Sequence, residues 1–244
     1  MKVLRFALFL AVFALLLPIS SWAAAGTGIA GTDHDFTTEG SSTTGSCTYC
    51  HTPHKALSTL LLWNHTLSSN TFTWDVSATT AGTPFPTFKG DTYKGPTAKC
   101  LSCHDGSVAI GDIAWWNATK PVGLFNDFIA ATDKHSVGFG GAMKGNHPVA
   151  MPYPLGNLAN KYNGSTTGAG AVLSEWQPTP FAPIRMFNDD GSGNITAGPV
   201  AGLTGIECSS CHDPHNKASV DKFFLRGTLT GKDDAYICLK CHIK

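Results

Sequence analysis

The eight cysteines of this 244-residue chain fall into four Cys-x-x-Cys pairs, and a histidine follows every pair. The four motifs are Cys47–Cys50–His51, Cys100–Cys103–His104, Cys208–Cys211–His212 and Cys238–Cys241–His242. Residues three apart stand on one face of a helical turn, so both sulfurs of a pair can meet the two vinyl groups along one porphyrin edge. The next residue then aims its imidazole at the iron. Disulfides would suit an exported chain with an even cysteine count, and zinc would suit paired Cys-x-x-Cys. Neither requires histidine at the next position in every pair. The pattern therefore predicts four c-type haems, each held by two thioethers. The attachment residues are Cys47, Cys50, Cys100, Cys103, Cys208, Cys211, Cys238 and Cys241, and the proximal iron ligands are His51, His104, His212 and His242.

Each iron has a sixth position, and six more histidines are present: His34, His54, His65, His135, His147 and His215. His54 and His215 lie three residues beyond their own proximal histidines. That span is too short to round the ring edge, so each must serve a neighbouring haem. The simplest assignment gives His54 to the haem of His104 and His215 to the haem of His242. His147 and His34 then complete the haems of His51 and His212, in either order. His65 is the reserve, and His135 stands last. Methionine would compete for the sixth position and raise the reduction potential, with Met143, Met151 and Met186 as candidates. The surplus of histidine favours all-histidine ligation and low potentials. Asn188 to Asn194 is rich in side-chain oxygens and has the look of a calcium loop, although a plain turn is the favoured reading.

The elements that must hold these groups are expected to be short. A basic start with Lys2 and Arg5, an apolar run from Phe6 to Leu17, and small residues ending at Ala25 make residues 1–25 a secretory signal peptide. The apolar run is shorter than the roughly 20 residues needed to span a bilayer. The tetrahaem domain is expected over 26–244, beginning with an extended arm at 26–46. A first two-haem module follows at 47–104, then a loop-rich connector at 105–207 and a second, compact two-haem module at 208–242. The modules share Cys-His-x-Pro-His, an apolar stretch (Leu60 to Trp63, Phe223 to Leu225) and Cys-Leu-x-Cys-His, which reads as an internal duplication. Pro53 and Pro214 should stop each attachment turn just after its histidine. Longer helices are expected at 105–116 and 232–242, and a small hairpin around Gly191 to Gly193.

Only 14% of residues are charged and 26 are glycine, so a side-chain core would be thin. Porphyrin supplies the missing apolar area. The expected fold is therefore a multihaem cytochrome c, mostly irregular loop with a few short α-helices and little β, its core built around covalently bound haems. Net charge is +0, which offers nothing to nucleic acid or to an electrostatically held membrane surface.

These motifs, together with His34-Asp35-Phe36, Leu62-Trp63-Asn64-His65, His104-Asp105-Gly106, His147-Pro148 and Phe224-Leu225-Arg226, resemble the cytochrome c3-like proteins with doubled motifs. More narrowly, they resemble extracellular tetrahaem cytochromes of the OmcE type. The resemblance implies a haem-dominated fold with bis-histidine haems stacked in a continuous chain. In filament-forming members one haem takes a histidine from the neighbouring subunit, and His34 on its arm is the expected donor here. Electron transfer without bound substrate follows, so the chain is expected to be an electron carrier and not an enzyme. Its partners would be other redox proteins, an extracellular acceptor or further copies of itself, and it would be exported to the cell surface or beyond. The alternatives are a soluble periplasmic carrier and a nitrite- or hydroxylamine-type redox enzyme with one open haem, which would need a free coordination site beside proton-moving groups.

Overall fold

The computed structural model describes residues 24–38, 46–54, 56–57, 60–113, 127–168 and 175–243. The expected signal peptide lies outside these residues except for Ala24 and Ala25, as does part of the expected arm. Among the described residues the α-helices are α1 (Cys47–Cys50), α2 (Pro96–His104) and α3 (Cys208–Cys211). α1 and α3 are single turns formed by the attachment motifs themselves. Each ends at its histidine, where the backbone becomes extended: φ −131°, ψ 144° at His51 and φ −110°, ψ 142° at His212. Proline disfavours helical geometry in the residue before it, so neither turn can continue through Thr52 or Asp213. α2 begins with Pro96, where a missing N–H costs no helical hydrogen bond, and runs through its own histidine.

Two expected helices are corrected. α2 stops at His104, because Gly106 follows with φ +70° in the left-handed position that closes a helix. Asp105 reinforces the stop by accepting the Ser107 N–H and the Asn70 side-chain amide, both at 2.9 Å, and the Ser68 hydroxyl. Residues 105–113 are turns, and 114–116 lie outside the described residues. At the C-terminus only Ile237–Lys240 winds, as a 3-10 turn. Upstream, the Asp233 carboxylate accepts the Ala235 N–H at 3.1 Å, a local turn that competes with helix.

The connector contains more β-structure than expected. Strands β3 (Met151–Pro152), β6 (Phe187–Asp189), β7 (Ile195–Ala197) and β8 (Thr204–Ile206) form an antiparallel sheet in the order β3-β8-β6-β7. β1 (Thr71–Phe72) pairs with β2 (Phe88–Lys89), and β4 (Lys161–Tyr162) with β5 (Ser165–Thr166). The β6–β7 hairpin turns through Gly191 and Gly193, both at φ +79°, where the sequence pattern places it. Its acidic residues are used locally: Asp190 accepts the Ser192 and Asn194 N–H groups at 2.8 and 3.2 Å, and Asp189 that of Gly191 at 2.9 Å.

The side-chain core is divided. Phe72, Phe88, Leu101, Met143 and Ala150 form one buried cluster, Tyr162, Phe187 and Ile195 another, and Tyr49 with Ile113 a third. All three candidate methionines are buried, and Met143 packs in the first cluster. No helix among the described residues is long and apolar enough to cross a membrane.

The sheet delivers the second half of the chain to the first. β8 runs into Glu207, which starts α3 and is fully buried at 1% exposure. Its carboxylate accepts the Thr97 N–H of α2 at 2.9 Å, the Tyr162 hydroxyl at 2.6 Å and the Tyr93 hydroxyl. The Thr97 hydroxyl in turn accepts the Cys208 N–H at 3.1 Å. Burial raises the Glu207 carboxyl above its ordinary value against the pull of these hydrogen bonds. Two attachment helices are thereby locked side by side.

Candidate haem-binding site

All eight cysteines are free. Burial pushes the Cys50 and Cys211 thiols up to about 11 and those of Cys103 and Cys241 up to about 12. Cys100 is raised first because it donates to the Cys208 sulfur, which is lowered by the same bond. Consecutive attachment sites also sense one another: Cys50 acts on Cys103, Cys100 meets Cys208, and Cys211 acts on Cys241. Motifs consecutive in the chain therefore lie close to one another in space.

Three of the four motif histidines are oriented from behind. Nδ1 of His51 lies 2.6 Å from the Leu61 carbonyl, that of His104 2.7 Å from the His135 carbonyl, and that of His212 2.7 Å from the Phe223 carbonyl. A carbonyl only accepts, so Nδ1 carries the proton and donates, leaving the Nε2 lone pair available. His34 and His147 are held the same way, through Pro214 O at 3.3 Å and Pro148 O at 2.9 Å. Burial lowers His34 to about 4, with nearby His104 adding to the effect, which keeps it in the neutral form that binds metal. His104 and His212 are also lowered, first by burial.

Two imidazoles bound trans to one first-row metal, with bonds of about 2.0 Å and ring radii of roughly 1.1 Å, hold their centres about 6 Å apart. Among the described residues, three pairs of histidine rings have this spacing. His34 and His104 are 6.2 Å apart, His51 and His215 6.1 Å, and His147 and His242 6.5 Å. Each pair joins one histidine of a Cys-x-x-Cys-His motif to one outside the motifs. Free paired thiols, tautomers set for Nε2 ligation and opposed imidazoles together fit haem c.

The neighbours differ from those expected. His215 faces His51 of the other module and not His242, while His242 faces His147 and packs on Trp176 at 4.3 Å. His34 is docked in its own chain, 4.8 Å from the Phe224 ring, instead of projecting from a free arm. Asn216 holds the arm: its amide donates to Gly28 O at 2.8 Å and accepts Gly26 N–H at 3.1 Å. His54 is exposed, and among the described residues no imidazole opposes it or His212. His65, the reserve, is buried with Nδ1 2.8 Å from Thr66 O and Nε2 2.9 Å from Ala109 O, so both ring nitrogens face carbonyls. His135 lies between Asp33 and Asp133 at 2.9 and 2.8 Å.

A repeated frame behind the motifs was missed from sequence. Leu61 and Leu62 have φ of 62° and 52°, and Phe223 and Phe224 both have 58°, so each module places two successive bulky residues in the left-handed region. This turns one carbonyl onto the proximal histidine. The next carbonyl accepts the N–H following that histidine: Thr52 to Leu62 at 2.9 Å, and Asp213 to Phe224 at 2.7 Å. Two residues later a side chain returns to the attachment turn, Asn64 Nδ2 donating to Thr48 O at 2.6 Å and Arg226 Nε to Ser209 O at 3.3 Å. Aligning the apolar stretches of the two modules was the available signal.

Residues 198–244 match a known family described as a doubled CXXCH motif. No curated protein matches the chain. The family match supports a multihaem c-type cytochrome with covalently bound haem c and an electron-transfer role.

Proposed function

We propose that this chain is an exported tetrahaem electron carrier of the OmcE kind, working outside the cell and able to polymerise. The supporting observation is the set of three opposed imidazole pairs, each containing a histidine from a Cys-x-x-Cys-His motif. His34 with His104, His51 with His215 and His147 with His242 would hold three low-spin irons, and haem c would supply the one-electron couple at each. Residues 26–244 would form one tetrahaem domain around a haem core, with the two modules interlocked through His51 and His215. His212 and His54 are the unmatched ligands. Donation of His54 from one copy to His212 of the next would close the fourth site and propagate a filament, replacing His34 as the expected donor.

The test is intact mass, ferric spin state and negative-stain microscopy of the secreted protein. Four covalent haems, low-spin iron and ordered filaments that disappear in His54→Ala are expected. Fewer than four haems would overturn the tetrahaem reading, and filaments unchanged in His54→Ala would overturn the donation. The unpaired His212 also favours a second reading, a multihaem redox enzyme with that iron open. Monomers that bind cyanide or nitrite at one high-spin iron would select the enzyme. Monomers that are wholly low-spin would select a soluble periplasmic carrier.

A further inference from the structure

The repeated frame is chemically unequal at one position. Asn64 in the first module is neutral. Its counterpart Arg226 is a guanidinium at 1% exposure, beside the attachment turn of Cys208, Cys211 and His212. The residue after the proximal histidine changes in step: Thr52 in the first module, Asp213 in the second, both buried. One attachment site thus has a buried ion pair where the other has two neutral side chains.

We infer that Arg226 raises the reduction potential of the haem held at Cys208, Cys211 and His212 above that of the haem held at Cys47, Cys50 and His51. This rests on the haem reading above and adds an ordering within it. Reduction of ferric to ferrous iron adds one electron and lowers the local charge by one. A fixed cation nearby therefore favours the reduced state, and a partly dry site strengthens the effect. Arginine keeps its charge even when buried. Arg226 sits against the attachment turn: its Nε donates to Ser209 O at 3.3 Å and its backbone N–H to Cys211 O at 2.8 Å.

Asp213 pairs only loosely with this cation. Its Oδ1 lies 3.5 Å from Arg226 Nη2, and that nitrogen has no hydrogen-bond partner among the described residues. The carboxylate is instead committed to backbone donors: the N–H groups of His215 at 3.2 Å, Lys217 at 2.9 Å and Ala218 at 2.6 Å. Backbone donors thus hold the carboxylate at the 215–218 turn, while the guanidinium is tied to Ser209 inside the attachment turn. Arg185 brings a second cation to the same turn, its backbone N–H donating to Ser210 O at 3.2 Å.

The experiment is a dithionite potentiometric titration of the four-haem protein, with each iron assigned by its paramagnetically shifted NMR signals. In the wild type the His212 iron should be reduced before the His51 iron. Arg226→Gln should lower the His212 step by about tenfold in its equilibrium constant, about 59 mV for one electron, leaving the His51 step within twofold. Arg226→Lys, which keeps the charge without the fork, should recover most of the shift. The inference is overturned if Arg226→Gln moves no step, or if Lys and Gln lower it equally, which would mean a packing role. Should Arg226→Gln fail to mature, the wild-type order decides: His51 iron reduced first overturns the inference. Intact mass separates the two levels, because fewer than four haems in the wild type defeats the tetrahaem reading itself.

Discussion

His215→Ala distinguishes interlocked modules from independent ones. His215 lies three residues beyond His212, yet its ring stands 6.1 Å from His51, and the planes differ by only 22°. No other imidazole among the described residues stands at this spacing from His51, so removing the ring should open that iron alone. About one quarter of the ferric haem should change from low to high spin, with one cyanide bound per chain. Ligation by His215 would also close a loop of roughly 160 residues. Treated as a cross-link on the unfolded chain, such a loop is worth up to about 5 kcal/mol, less whatever the other haem links already restrict. The denaturation midpoint should therefore fall together with the spin change. The assay is electron paramagnetic resonance with resolved haem signals, repeated with His51→Ala to identify the site. Opening at the His242 iron would refute the pairing, because it would restore ligation within the module. A fully low-spin variant would show that His215 is no ligand.

Phe223 is 51% exposed and sits at φ 58°. Phe223→Gly relieves about 1 to 2 kcal/mol of left-handed strain against roughly 0.5 to 1 kcal/mol of added chain entropy. Denaturant unfolding should show a neutral or slightly more stable protein with the His212 iron unchanged, since its anchor is a carbonyl; a loss above about 1 kcal/mol would contradict the strain argument. Asn216→Ala removes the hydrogen bonds to Gly26 and Gly28, at about 1 kcal/mol each, from a residue at φ 50°. Limited proteolysis should then cut ahead of His34 and the His104 iron should open, and an uncut arm would deny Asn216 its role. Burial raises the Glu207 carboxyl above 4.5, so its contribution to stability is complete below pH 4.5 and is lost as pH rises through the folded value. Glu207→Gln should flatten that decline in urea midpoints across acid to neutral pH, whereas parallel profiles would assign the decline to other groups.

The attachment chemistry was legible because it is local. A thioether pair and its proximal histidine occupy five consecutive residues, and Pro53 and Pro214 act on the residue beside them, so short-range sterics alone set the α1 and α3 turns. The β6–β7 hairpin was legible for the same reason, from two glycines in one turn. The strands around it were not, since segments of two or three residues are too short for an alternating pattern to declare a face. Spacing showed that His54 and His215 cannot reach their own irons, but it could not choose among neighbours, and the within-module choice is not the one the geometry brings together. That choice depends on where β8 and Glu207 set α3 against α2, through contacts more than 100 residues apart in sequence. The burial of Arg226 against Ser209 is likewise set by tertiary packing. Covalent chemistry is written in adjacent residues. Ligand partnership and local field depend on how distant segments pack, and a linear pattern holds no distances between them.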